Sequence, residues 1–441
     1  MSVRELSDYT FVAKYARWIP EKKRRETWDE AVSRVKQMML DKYFDKPEIH
    51  EDIEWAYEMM RKKRVLGSQR ALQFGGKPIF KHNARIYNCI TSFCDRLRFF
   101  QECMYLLLCG CGTGFSVQKH HVEKLPPLIR NKSGTKKFVI PDTIEGWSDA
   151  VGVLVASYFD QDELFPEYVG KSVNFDYSEI RPAGAFLNSS GGKAPGPEPL
   201  KNALSSIRKI LDKALKELEF CDKSIRDLTP IQAYDIVMHS ADAVISGGVR
   251  RSATICLFSA DDEEMAKAKT GSWFVENPQR GRSNNSALLL RDKTTAEQFS
   301  ELMKSVQEFG EPGFVWSDST ELIVNPCVEI GMWPVDETTG ESGWQACNLS
   351  TINCAKIKTE EDFLEACKAA SIIGSLQAGF AKFPYLGKAS ENIVSREALL
   401  GVSMTGIMEK HEICLNPDTQ KQGAKVVKDE NKRVAKIIGT N

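Results

Sequence analysis

The chain has 441 residues, 42% of them hydrophobic and 27% charged, with a formal net charge of −1. That is enough for one large domain or two to three ordinary ones of the soluble globular class, and it excludes recruitment to nucleic acid or an anionic membrane by bulk charge. The longest apolar tracts, such as Met104–Leu108, are core-sized rather than membrane-sized, and the opening MSVRELSDYT carries no secretory signal. Twelve cysteines at irregular spacing are too sparse for a disulfide scaffold. A reducing cytoplasm with free thiols is therefore expected. No C-x-x-C pair occurs, so no metal site is expected.

In chain order, charge and helical periodicity dominate residues 1–80, with helices expected from Trp28 to Met39 and from Ile53 to Lys63. The basic cluster Lys22-Lys23-Arg24-Arg25 is ringed by acids and reads as a solvated helix entry. Arg85–Ile90 reads as a short strand. Arg98–Cys109 is an apolar helix, closed by the glycine-rich Gly110–Ser116, which lets a backbone pass close to another group. That run follows a helix rather than a strand, so it is no dinucleotide fingerprint. His120 and His121 read as surface residues, and Cys109 and Cys111 as core thiols. A helix over Trp147–Phe159, a strand over Val173–Tyr177 and an amphipathic helix over Pro199–Phe220 follow. Next come a helix over Ile231–Ile245 and a strand over Ser252–Phe258. Ser283–Ser286 reads as a polar loop before the strand Ala287–Leu290. Thr295–Phe309, Glu360–Phe380 and Gln420–Ile438 are the remaining helices. Alternation of strands and helices implies an α/β fold with a mostly parallel sheet.

Asn325-Pro326-Cys327-Val328-Glu329 and the later Cys347-Asn348-Leu349 carry the chemistry. If residues 325–329 are extended, Asn325, Cys327 and Glu329 project to one side. An amide can hold a hydroxyl, a carboxylate can take its proton, and a thiol can supply a nucleophile or a sulfur radical. The competing reading is a buried structural cysteine beside a turn proline.

Read in sequence order, several segments together resemble one family. They are Tyr15–Lys22, Arg70-Ala71-Leu72 before Gly75-Gly76, Asn88-Cys89, Gly112–Ser116, Ile180-Arg181-Pro182, Gly191–Pro197, Gly248–Ala253, Ser283–Ser286, Gly310–Gly313 and Asn325–Glu329. The chain resembles the catalytic subunit of ribonucleotide reductases, most closely the monomeric, adenosylcobalamin-dependent (class II) ribonucleoside-triphosphate reductases, in their N-terminal portion. The resemblance implies a ten-stranded α/β barrel, here lacking its C-terminal strands. A helical region over residues 1–80 would precede the barrel portion, 81–441, with a finger loop near 325–329. It implies that Cys327 becomes a thiyl radical shielded inside the barrel, that Glu329 takes the 3′-hydroxyl proton, and that Asn325 orients the ribose. Cys89 and Cys347 would be the reducing dithiol, and Ser68, Asn88 and Gly112 would line the substrate end. The implied cofactor is adenosylcobalamin, the substrate a ribonucleoside triphosphate, and the reductant a dithiol or thioredoxin-like protein.

The chain stops at Asn441, before the phosphate-binding loop and C-terminal cysteine pair of full-length relatives. A second polypeptide supplying the C-terminal half is therefore expected. Lys119–Pro141 reads as shorter than the family's effector-binding insertion, so reduced allosteric control is expected. The alternatives are a class I-type large subunit acting on diphosphates with a diiron partner, and an inactive nucleotide-binding remnant.

Overall fold

The structure, a computed structural model, describes residues 2–129, 133–186, 192–219, 227–245 and 253–441. Of the family segments, Gly191 and Gly248–Ser252 lie outside the described residues, as does Cys221. The chain divides into two compact units. One comprises residues 1–88 and 346–441, and the other 89–187 and 192–345.

The second unit carries a wholly parallel five-stranded sheet. Its strands are β1 (Cys89–Phe93), β2 (Gly112–Ser116), β3 (Thr254–Ser259), β4 (Ser283–Leu290) and β5 (Gly313–Ser317), in the order β5-β4-β3-β2-β1. Parallel neighbours need crossovers. Helix α1 (Arg98–Cys109) connects β1 to β2, and α6 (Ala296–Phe309) connects β4 to β5. Between β2 and β3 lie α2 (Lys119–Val122), α3 (Ile144–Ala156), α4 (Glu198–Glu219) and α5 (Pro230–Ile245). Covered strands read as continuous buried runs, and β1 and β2 are buried at every position. Ser283–Ser286 belongs to β4, not to a loop as expected. Its polar residues are held in register with Thr254–Leu257 of β3, and pairing overrides their turn propensity.

Helix α1 is buried along almost its whole length and ends at Gly110, whose φ of 95° supplies the left-handed cap. Its Glu102 is fully buried, and accepts from Arg98 Nε at 2.6 Å, Arg96 Nη2 at 2.7 Å and Trp344 Nε1 at 2.9 Å. A buried carboxylate is tolerable only with such partners. The Trp344 indole stacks on Phe99 at 5.6 Å, which fixes the return arm behind the site. A satellite core forms where strands Thr135–Val139 and Ser172–Asp176 pair in parallel and Val153, Tyr168 and Val173 pack with Phe138, Phe165 and Phe175.

In the first unit, Gln345–Asn353 pairs in parallel with Leu400–Thr405 and antiparallel with Val65–Leu66. Helices Trp28–Lys42, His50–Arg61, Glu360–Ala378 and Pro417–Ile438 surround these strands. The expected helices are therefore present in both units. The expected strand at Arg85–Ile90 is shorter: Asn83–Ile86 is a 3-10 turn, and β1 begins only at Cys89. The Lys22–Arg25 cluster is solvated as expected, with Lys22 and Arg24 paired to Glu30. Helix Val3–Lys14, capped by Ser2, was not anticipated.

Candidate active site

Strands β6 (Ile323–Val324) and β7 (Gly331–Met332) form an antiparallel hairpin, and Asn325–Ile330 is its tip. Pro326 presets the turn, which closes with Val328 N–H donating to the Asn325 carbonyl at 2.8 Å. The expectation of an extended segment is corrected here. Asn325, Cys327 and Glu329 are brought together by reversal of the chain, not by alternation along a strand. Val328 sits at φ 65°, a conformation costly for a β-branched residue. Such strain persists where the surroundings impose it.

The hairpin lies on β1 and β2. A Cβ at Gly114 would stand 2.2 Å from the Val324 carbonyl oxygen and 2.9 Å from Thr91 Cγ2, so the approach requires glycine there. Thr91 Oγ1 lies 3.1 Å from Met332 Sδ, and Ser92 Oγ donates to the Gly343 carbonyl at 2.5 Å. Gly112 is the register partner of Cys89. The glycine run thus seats the hairpin root through Gly114, while Gly112 sets β2 beside the β1 cysteine.

At the tip, the Cys327 thiol has the Cys89 thiol and the Glu329 carboxylate as neighbours close enough to act on its ionisation. Desolvation first, then these two neighbours, push it up to about 11, so it is an S–H group at neutral pH. Asn325 is fully buried. Its Oδ1 accepts Ile330 N–H at 3.2 Å, whereas its Nδ2 has no partner. A buried, unpaired amide donor is costly unless a ligand supplies the acceptor. Cys327 and Glu329 are exposed, and Cys327 is the only exposed thiol among the described residues. The shielding expected for Cys327 is therefore not provided within this chain, because the turn projects beyond the strands that carry it.

Three further expected site residues belong to the first unit. Cys347 is fully buried and close enough to Tyr87 to disfavour ionisation of that phenol. Ser68 donates its hydroxyl to the Ile86 carbonyl at 2.6 Å, and its N–H goes to Gln377 Oε1 at 2.7 Å. Gln377 Nε2 continues to Asn348 Oδ1 at 2.8 Å, which fixes the residue after Cys347. Asn88 is half-buried in the bend just before β1. Sequence reasoning missed Gln377, whereas the close backbone approach expected of the glycine run is found at Gly114. A glutamine in the apolar last turns of helix Glu360–Ala378 was the available signal for Gln377.

His121 is not a surface residue. It is fully buried, stacks on Phe93 at 4.1 Å and places Nδ1 2.9 Å from Ser116 Oγ. Burial, then the neighbouring His120, lower its affinity for a proton. Cys109 and Cys111 are buried, as expected.

A family model described as the insertion domain of B12-dependent ribonucleotide reductases matches residues 117–211. The insertion expected to be curtailed is thus recognisable across α2, α3 and most of α4. An adenosylcobalamin-dependent ribonucleoside-triphosphate reductase of Lactobacillus delbrueckii subsp. bulgaricus is 25% identical over 91% of this chain and 61% of its own length. The chain therefore spans about three fifths of the length of the curated relatives it matches. Among solved structures, a B12-dependent (class II) ribonucleotide reductase superposes with a TM-score of 0.79 at 22% identity, over 98% of this chain and 71% of the other. The class Id ribonucleotide reductase alpha subunit of Actinobacillus ureae gives 0.54 at 12%, over 99% and 68%. The α/β fold is that of the class II enzyme. Among the described residues, no helix is long and apolar enough to cross a membrane.

Proposed function

We propose that this chain, related along its length to the adenosylcobalamin-dependent ribonucleotide reductases, is the radical-bearing part of an enzyme that reduces ribonucleotides to 2′-deoxyribonucleotides in the cytoplasm. The observation that carries this reading is the hairpin tip. An S–H thiol sits there between a second thiol and a carboxylate, with a buried amide donor left unpaired in the same turn. The substrate is a ribonucleoside triphosphate, following the names of the relatives. Ribonucleotide and dithiol go to deoxyribonucleotide, disulfide and water.

In this reading the Cys327 thiyl takes the 3′ hydrogen of the ribose and Glu329 accepts the 3′-hydroxyl proton. Asn325 Nδ2 donates to a sugar oxygen. Cys89 and Cys347 supply the two electrons and the proton that replace the departing 2′-hydroxyl, ending as a disulfide. A dithiol or thioredoxin-like reductant then restores them. Asn88 and Gly112 flank the sugar, and Ser68 holds the backbone before β1. Adenosylcobalamin, when bound, supplies the radical that converts the Cys327 thiol to a thiyl. What this chain offers that cofactor is the exposed position and the protonated state of the Cys327 sulfur. A hydrogen-atom donor must retain its proton, and the elevated thiol satisfies that. A thiyl also needs exclusion of water. In this reading the exposed tip is covered by the part of the enzyme that corresponds to the length of the relatives these residues do not span.

The test is reduction of a ribonucleoside triphosphate, with the diphosphate in parallel, by the assembled enzyme supplied with adenosylcobalamin and a dithiol. Cys327→Ser should abolish turnover while nucleotide binding persists. Turnover by that variant would remove the proposal, and preference for the diphosphate would move the enzyme to the class I-type reading.

A further inference from the structure

At the root of the same hairpin, two histidines and one glutamate converge. His120 Nε2 lies 2.8 Å from Glu321 Oε1, and His121 Nε2 lies 3.4 Å from Glu321 Oε2. All three ligand atoms fall within 4.8 Å of one another, the one such group of three among the described residues. Donors bound to a tetrahedral zinc at about 2.0–2.1 Å lie roughly 3.4 Å apart. The two distances are to the two different carboxylate oxygens, and with one oxygen as ligand the three donors lie within 4.8 Å of one another, so they must close by up to about 1.4 Å on an ion. The two imidazole rings already lie together, 4.0 Å apart at 46°.

We propose that His120, His121 and Glu321 form a binding site for a divalent first-row transition ion, with zinc the best-fitting class. Two imidazoles and one carboxylate suit such ions better than calcium or magnesium, which favour all-oxygen sites. The second layer is in place. His121 Nδ1 faces Ser116 Oγ at 2.9 Å, which orients the ring and turns Nε2 toward Glu321. Ser116 Oγ is itself held in place, accepting Gln118 N–H at 3.2 Å and Gln118 Nε2 at 3.1 Å. Access is open, because His120 and Glu321 are each about 40% exposed while His121 is buried.

Placement gives the ion a role. Glu321 precedes β6 by two residues, and His121 follows the end of β2 by five. The ion would clip the hairpin root to the strand beneath it and so limit the movement of the Cys327 turn. This inference rests on residues apart from the catalytic tip, and a metal measurement can fail without touching the reductase reading.

Zinc itself is the probe, titrated by calorimetry into the full chain carrying Cys327→Ser, which removes the exposed competing thiol. One zinc per chain is expected, with affinity lowered roughly tenfold or more in His120→Ala and in the isosteric Glu321→Gln. Cobalt(II) in place of zinc should give visible absorption bands without thiolate charge transfer. Zinc affinity unchanged from the parent in both variants, no zinc uptake by the parent, or a thiolate signature in the cobalt spectrum would each overturn the site.

Discussion

Cys327 combines exposure with a thiol held up near 11, and the combination has a measurable consequence. Alkylation proceeds through the thiolate. Below the thiol's own value the rate should therefore climb tenfold per pH unit, with its inflection near 11 rather than at about 8.5 for an ordinary cysteine. Because Glu329 contributes to the elevation, Glu329→Gln should move the inflection downward, as followed by the pH profile of iodoacetamide labelling. An unchanged profile would show that the carboxylate does not face the sulfur. Asn325→Ala tests the neighbouring donor. With Nδ2 removed, a bound ribonucleotide should lose roughly 0.5–1.5 kcal/mol of affinity, measured by equilibrium binding. The residues at this scale were legible, since an amide, a thiol and a carboxylate spaced by two are visible in the sequence. How they meet was not. Pro326 and the Val328 backbone turn the segment back on itself, and that depends on the strands at either side.

The hairpin as an element depends on a single missing methyl group. Gly114→Ala forces a Cβ against the Val324 carbonyl oxygen at 2.2 Å, backbone rather than a yielding side chain. The expected cost is about 1–3 kcal/mol, read from the denaturation midpoint, with faster Cys327 labelling as the hairpin lifts. Trp344→Ala acts from behind the site. It empties the stack on Phe99 and removes one of three donors to the buried Glu102, for an expected loss of about 3–5 kcal/mol by chemical denaturation. Helix α1 was readable to its bounds because its apolar run and its glycine cap are local features. Ser283–Ser286 was misread because nothing local places it between two parallel strands. His121 was misread likewise, since the ring that buries it, Phe93, comes from β1.

At the level of the molecule, two compact units divide the expected site residues, with Asn325, Cys327, Glu329, Cys89 and Gly112 in one and Cys347, Ser68 and Asn88 in the other. The chain spans about 61% of its curated relative. If the proposed reduction needs the part of the relatives' length that these residues do not span, the 441 residues assayed alone should form no deoxyribonucleotide. Turnover by these residues alone would refute that need. Sequence by itself determined the α/β class, the helices and the family the chain resembles, because periodicity, capping and motif order are written in neighbouring residues. Only the tertiary structure decided that the tip is a turn, that Gly114 seats it, that Cys327 is exposed beside Cys89, and that two histidines share one glutamate. Those facts depend on which distant backbones approach within a few ångströms, and no local pattern encodes that distance.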